Sequence, residues 1–492
     1  MREFANVGHG KLSSDKFDIL LDTRKEIDQL CQDFSRNLRD NTEGAWFTPT
    51  ELEGVPMEEI ISLSEGRKDK VFINFGNRAD RLLVLRHAHS PATRKKLYLG
   101  NEQKLSENVA LFNLAVLLRD QNARLLGFKS HAEFKSQERM ATSTEWVDDM
   151  LNSMREQLLP IGQGAMEQLK ATKRTHLVRN HQSGEDEILP WDFDYYMRSL
   201  EEDKKEQSYV KPDGGRVFPA TILMCNFFSS GVTGCALLKH SEVVTLFHGA
   251  SLYADNIGLL ELGHGIHDLL SRTFHTRYHA WRAPAEFAEA LSTMLENWCW
   301  NKSELKQMSC HYTKLGPDCF EKWKAQHPGM ALHAENIPDE LFDQLIGSRD
   351  LNKASRLLQQ TADSVFDMII HNPATREDIL KLDGTELYNS IKEDFTLLRN
   401  PDPCTWGPAH CHFGHLISGY DAGYFSYLSA QIFAADLYET AFTISLRSQQ
   451  AWDRYRQIVL EPGGSRDGLK MMEEFLGHSP TPDVLVRALG VG

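Results

Sequence analysis

The chain lacks any apolar run approaching the roughly 18 residues that a membrane-spanning helix needs, so no membrane span is expected. It also lacks a basic excess. Lys and Arg number 54 against 69 Asp and Glu, a net charge of −15. That argues against nucleic acid as a main partner, because phosphate binding needs a basic surface. The eight cysteines show no paired spacing and no Cys-x-x-Cys. Reduced, buried thiols and a cytoplasmic setting are therefore expected. The start, Met1-Arg-Glu-Phe4, is charged and has no apolar core for a secretory signal. No internal repeat or low-complexity tract breaks the composition.

What is present is length and helical patterning. At 492 residues the chain can bury a large core in more than one lobe. Ile27, Leu30, Cys31, Phe34 and Leu38 step by three and four, as do Trp146, Met150, Leu151, Met154 and Leu158. Each set lies on one face of an amphipathic helix. Val109 to Leu118 is apolar and is expected to end in a polar turn, and Leu125-Leu126-Gly127-Phe128 predicts a helix end capped by Gly. Lys70 to Phe75 is a short β-like run, and Val217 to Phe228 is the clearest strand candidate. Residues 172–190 are polar and basic and are expected to form a surface loop. Pro284 suits the first position of a helix carrying Glu289, with Phe287, Leu291, Met294 and Trp298 on one face.

One absence matters most. Glu261-Leu-Gly-His264 is the second half of a His-Glu-x-x-His motif, but Leu260 stands where the first His belongs. The motif puts two His at i and i+4 on one helix face to share a metal, with the Glu as general base. Without the twelve residues Gly249 to Leu260, the chain would read Leu246-Phe247-His248-Glu261-Leu262-Gly263-His264, an intact motif. On one unbroken helix, His248 and His264 would sit roughly 24 Å apart and could share no ion. Gly249, Ser251, Gly258 and the Asp255-Asn256 pair are turn and cap residues that would let the insert loop out. A helix starting near Asp255 would instead put Leu260 in the ligand position, so both readings stand at this point.

Here the chain resembles the thimet oligopeptidase and neurolysin family of zinc metallopeptidases. Leu238-Lys-His240-Ser-Glu242-Val243 resembles the segment leading into that family's motif. Phe287-Ala-Glu289 and Leu295-Glu-Asn-Trp298 match the helix that carries its third ligand. Gly414-His415-Leu-Ile-Ser-Gly419-Tyr420-Asp-Ala-Gly423-Tyr424-Phe-Ser-Tyr427 resembles its Gly-rich, Tyr-rich segment, and Arg456 to Asp467 resembles a run that is expected to be structural.

The resemblance implies a mainly α-helical, zincin-like, two-lobed peptidase with a deep central channel and a small, reduced β element. It implies a helical N-terminal lobe over 1–210 and a catalytic domain over 211–492. It further implies a metalloendopeptidase that cuts short peptides with water activated by one zinc ion per chain. His264, Glu289 and His248 would be the metal ligands and Glu261 the general base. Tyr427 would stabilise the oxyanion, while His415, Tyr420 and Tyr424 bind the peptide backbone and Gly419 and Gly423 let the loop move. His267, at i+3 from His264, could face the same side as a substitute ligand, but the resemblance implies a His that does not bind metal. A monomer with short peptides as its partners is expected.

The chain departs from the family in two further places. Tyr195-Tyr196-Met197 is followed almost at once by Pro212-Asp213-Gly214, where the family carries several strands, and the N-terminal helices are shorter than the family's. The alternative is therefore a catalytically impaired homologue that no longer holds zinc and at most binds peptides. An insert and an internal loss in one chain suggest a splice or gene-model variant as a hypothesis. Transcripts that consistently encode Gly249 to Leu260 would rule this out for the insert.

Overall fold

The computed structural model describes residues 6, 8–57, 70–200 and 262–489, apart from 138, 142, 182–183, 281–282, 311, 315, 327, 330–331, 333–335, 337 and 348–352. The strand candidate Val217 to Phe228, His248, Leu260, Glu261 and the expected domain boundary at 210 lie outside the described residues. Helices dominate. In chain order, those that position the site are α1 (Ser14–Arg39), α2 (Asn108–Leu125), α3 (His131–Ser136), α4 (Thr144–Arg179), α5 (Leu262–Leu270), α6 (Ala285–Leu295), α7 (Lys353–His371), α8 (Gly384–Thr396) and α9 (Ser426–Ala441). Among the described residues the β structure is one antiparallel ribbon, β1 (Gly44–Phe47) with β2 (Val71–Asn74), in the register Gly44↔Asn74 to Phe47↔Val71. Among the described residues the fold is mainly helical with little β structure, as expected.

The chain divides into two compact units, Met1–Asp203 with Ala354–Phe425, and Lys204–Lys353 with Ser426–Gly492. In the first unit the α1 stripe works as predicted. Phe34 is fully buried against Phe112 and Phe366, with Leu30, Cys31 and Leu38 packed around it. On α4, Val147, Met150, Leu151, Met154 and Leu158 are buried. The Gly127 cap is present. Its φ is +91°, and the Phe128 N–H reaches back to the Ala123 carbonyl at 3.0 Å, the Schellman arrangement that favours Gly.

Two expectations need correcting. Residues 172–179 are not loop, because α4 runs on to Arg179. Met166 and Leu169 extend its buried face. Lys173 lays its stem into the interior and donates to the Glu187 carbonyl at 2.6 Å and to Asp192 at 3.1 Å, so its charge is partnered rather than solvated. Likewise α2 does not end at Leu118, since Arg119, Asp120 and Asn122 are buried on its last turns.

In the second unit, α6 packs along α9 and also against α5. Phe287, Leu291 and Met294 are buried at this junction, as predicted. Pro284 is the N-cap residue, one position before the helix proper. The helix continues as a 3-10 turn over Glu296–Trp300, which carries Trp298 into a ring cluster with Phe442 and Trp452. The C-terminal run forms a π-helix at Arg456–Leu460. Glu461, just beyond it, accepts from Arg456 at 2.9 Å, and its carbonyl accepts the Arg272 N–H at 2.8 Å. That run braces the segment after α5, a structural role.

Candidate active site

The second unit brings two of the expected metal ligands together. Phe287 and Leu291 turn one face of α6 into the core, and this leaves Glu289 about 200° round the helix from Phe287, off that face and half-buried. His264, on the first turn of α5, is half-buried as well. Its Nε2 lies 4.0 Å from Glu289 Oε2. Two ligand atoms on a tetrahedral zinc lie about 3.4 Å apart. A small carboxylate rotation would close the difference, so an imidazole nitrogen and a carboxylate oxygen facing each other fit as two zinc donors. Among the described residues no group of three or more such side chains forms a metal cluster.

His267 faces elsewhere. It is buried, and its ring lies 5.7 Å from Phe287 in the α5–α6 contact. Burial pushes it down to about 4, so it is a neutral core histidine. His279 pairs with Asp268 at 2.8 Å.

The remaining site residues divide between the units. Tyr427 opens α9 in the second and is half-buried. His415, Tyr420 and Tyr424 belong to the first, where the backbone gathers them. The chain turns through 3-10 geometry at Gly414–Leu416, and the Tyr420 N–H returns to the His415 carbonyl at 3.2 Å. The His415 ring then lies 5.8 Å from Tyr420 and 5.5 Å from Tyr424, with Phe413 4.7 Å from Tyr424. Burial lowers His415 and raises Tyr424, so near pH 7 the imidazole and the phenol are neutral donors or acceptors.

Of the two glycines expected to let this loop move, Gly419 keeps its freedom, with φ +101° and open space around it. Gly423 does not. A Cβ there would overlap the Arg139 guanidinium, so this glycine serves a close approach rather than a hinge.

Sequence reasoning missed a set of buried polar and charged groups beneath this loop: Asp367 and His371 on α7, Arg119 on α2, His131 on α3, and Asp421 in the loop itself. One signal was available. Asp363, Asp367 and His371 fall at i, i+4 and i+8 on the same helix as the buried Phe366 and Ile370. Charges at core spacing require partners.

Residues 84–213 and 205–491 match the model of Peptidase family M3. The chain is 28% identical to saccharolysin of Saccharomyces cerevisiae, over 95% of this chain and 74% of that protein. It is 25% identical to the thimet-like oligopeptidase of Dictyostelium discoideum, over 98% of this chain and 79% of that protein. Among solved structures it is similar in fold to PZ peptidase A with inhibitor 2, at a TM-score of 0.56 and 14% identity, covering 99% of this chain and 78% of that one.

Proposed function

The chain belongs to peptidase family M3, and from that premise we propose that it is a zinc-dependent oligopeptidase acting on short peptides. The observation that carries the proposal is the approach of His264 Nε2 to Glu289 Oε2, 4.0 Å apart on two packed helices. These two would hold the ion, with His248 as the third ligand. When bound, zinc would supply Lewis acidity, which polarises the scissile carbonyl and makes water a nucleophile near neutral pH.

The chain's own residues would do the rest. Glu261 takes the proton from the attacking water and later gives it to the leaving amine. The Tyr427 phenol donates to the oxygen as negative charge develops there, a bond stronger in the transition state than in the ground state. His415, Tyr420 and Tyr424 hold the peptide backbone. We read the chain as a monomer acting in the cytoplasm. Cys31 and Cys411 stand in no disulfide, which fits a reducing compartment. No helix among the described residues is long and apolar enough to cross a membrane. Light scattering that gave the mass of two chains would overturn the monomer.

The test is cleavage of a short internally quenched peptide, with zinc per chain measured after dialysis. About one retained zinc, and cleavage lost to a chelator and restored by zinc, is the expected result. A folded chain that retains no zinc and cuts nothing would overturn the proposal. Leu260, in the position of the first ligand, would then have broken the site.

A further inference from the structure

The peptide-binding loop is held from below by carboxylates that the proposed reaction does not use. Asp367, near the end of α7, is fully buried. Its Oδ1 accepts the Ala422 N–H at 2.8 Å, and its Oδ2 accepts the Gly423 and Tyr424 N–H groups at 2.8 and 3.0 Å. One side chain thus collects three successive backbone donors of the loop that carries Tyr424. Ala422 itself sits at φ +48°, a left-handed conformation that a residue with a Cβ rarely adopts. Strain of this kind persists only where the surroundings over-determine it, and it clusters at functional sites.

A second layer fixes Asp367. His371, one turn on, stands 2.8 Å through Nδ1 from Asp367 Oδ1 and 3.3 Å through Nε2 from Arg119 Nη1. Arginine can only donate, so Nε2 accepts and Nδ1 carries the proton given to Asp367. Arg119 also donates to the Leu416 carbonyl at 2.7 Å and lies 3.6 Å from Asp421. Asp421 in turn accepts from His131 at 2.6 Å and lies 3.5 Å from Lys135. The loop is pinned from 421 to 424 and at 416, and is left open at Gly419.

We infer that Asp367 is a positioning residue, which holds the Ala422–Tyr424 backbone so that Tyr424 is set for the peptide before substrate arrives. This rests on the reading of His415, Tyr420 and Tyr424 as peptide-binding residues. Pre-set geometry lowers the ordering cost of binding, so the effect falls on KM rather than on turnover.

The test is Asp367→Asn in the full chain. Whichever way the new amide turns, its NH2 faces donors: Ala422 N–H and His371 on one side, or Gly423 and Tyr424 N–H on the other. We expect the amides of 422–424 to exchange with deuterium about tenfold faster or more. KM for a short quenched peptide should rise by a similar factor while kcat changes about threefold at most. Asp363→Asn is the structural control. Asp363 lies one turn earlier and bonds Tyr388 and Gln359 at 3.0 and 2.9 Å, so it should leave both the loop exchange and KM as they are.

If Asp367→Asn does not fold, His371→Gln removes only the ring that orients the carboxylate. It should then give a smaller change of the same kind. Unchanged protection at 422–424, or faster exchange with KM unmoved, would overturn the inference. A wild-type chain that cuts no peptide would sink the functional reading instead, while the exchange measurement still decides the clamp.

Discussion

Replacing His410 by Phe should remove a defined part of the protein's acid sensitivity. His410 is completely buried, with its ring 5.2 Å from Phe112, 5.7 Å from Phe366 and 6.3 Å from Tyr388. Its Nδ1 has no hydrogen-bond partner among the described residues, and its Nε2 lies 3.2 Å from the Cys411 thiol. Burial pushes the imidazole from 6.5 down to about 4, with Asp383 pulling weakly the other way.

Between those two values the unfolded chain binds the proton and the folded chain does not. Stability from this group is therefore fully present above about 6.5 and is lost as pH falls towards 4. At pH 5 the loss comes to roughly 2 kcal/mol for this one residue. Phe keeps a ring among the same aromatic neighbours and has nothing to titrate. Hydrogen exchange of α7, corrected for intrinsic rates, measures the opening free energy of that region at pH 7.5 and pH 5.0. The wild type should lose about 2 kcal/mol more than His410→Phe between those conditions, roughly a thirtyfold difference in protection. His131 and His412 are also held low by burial, at about 4 and about 3, and contribute equally to both proteins. Identical pH dependence in the two proteins would refute the assignment.

Three further outcomes follow from the same structure. Glu289→Gln should leave the fold intact and lower zinc affinity by about 10-fold or more, read by competition with a coloured chelator; unchanged affinity would remove Glu289 from the ligand set. Tyr427→Phe should lower kcat by about 100-fold with little change in KM, as expected for an oxyanion donor; unaltered turnover in steady-state kinetics would end that role. Gly407→Ala would drive a Cβ into the backbone carbonyl of Glu102. It should destabilise the first unit by about 3 kcal/mol, and an unmoved urea midpoint would show that the two segments can separate cheaply.

Much of the local structure was legible because it follows from short-range periodicity. The stripe on α1, the buried face of α6 and the Gly127 cap are each set by residues within a few positions of one another. Residues 172–179 misled because Lys, Arg and His look like surface when read alone. In the fold, Lys173 finds Asp192 at 3.1 Å and Arg174 finds Asp186 at 2.6 Å, so a basic stretch continues a helix.

By itself the sequence determined the mainly helical class, the two helices that carry His264 and Glu289, and the spacing of His415, Tyr420, Tyr424 and Tyr427. These depend on helix period and on residue types at fixed intervals. Only the tertiary structure decided that Gly423 is packed against Arg139 and that Asp367 holds the backbone of residues 55 to 57 positions further on. It alone joined His131 to Asp421, 290 residues apart. The physical reason is that a buried charge states only that it must have a partner. Which partner it takes is settled by the folding that brings distant segments together.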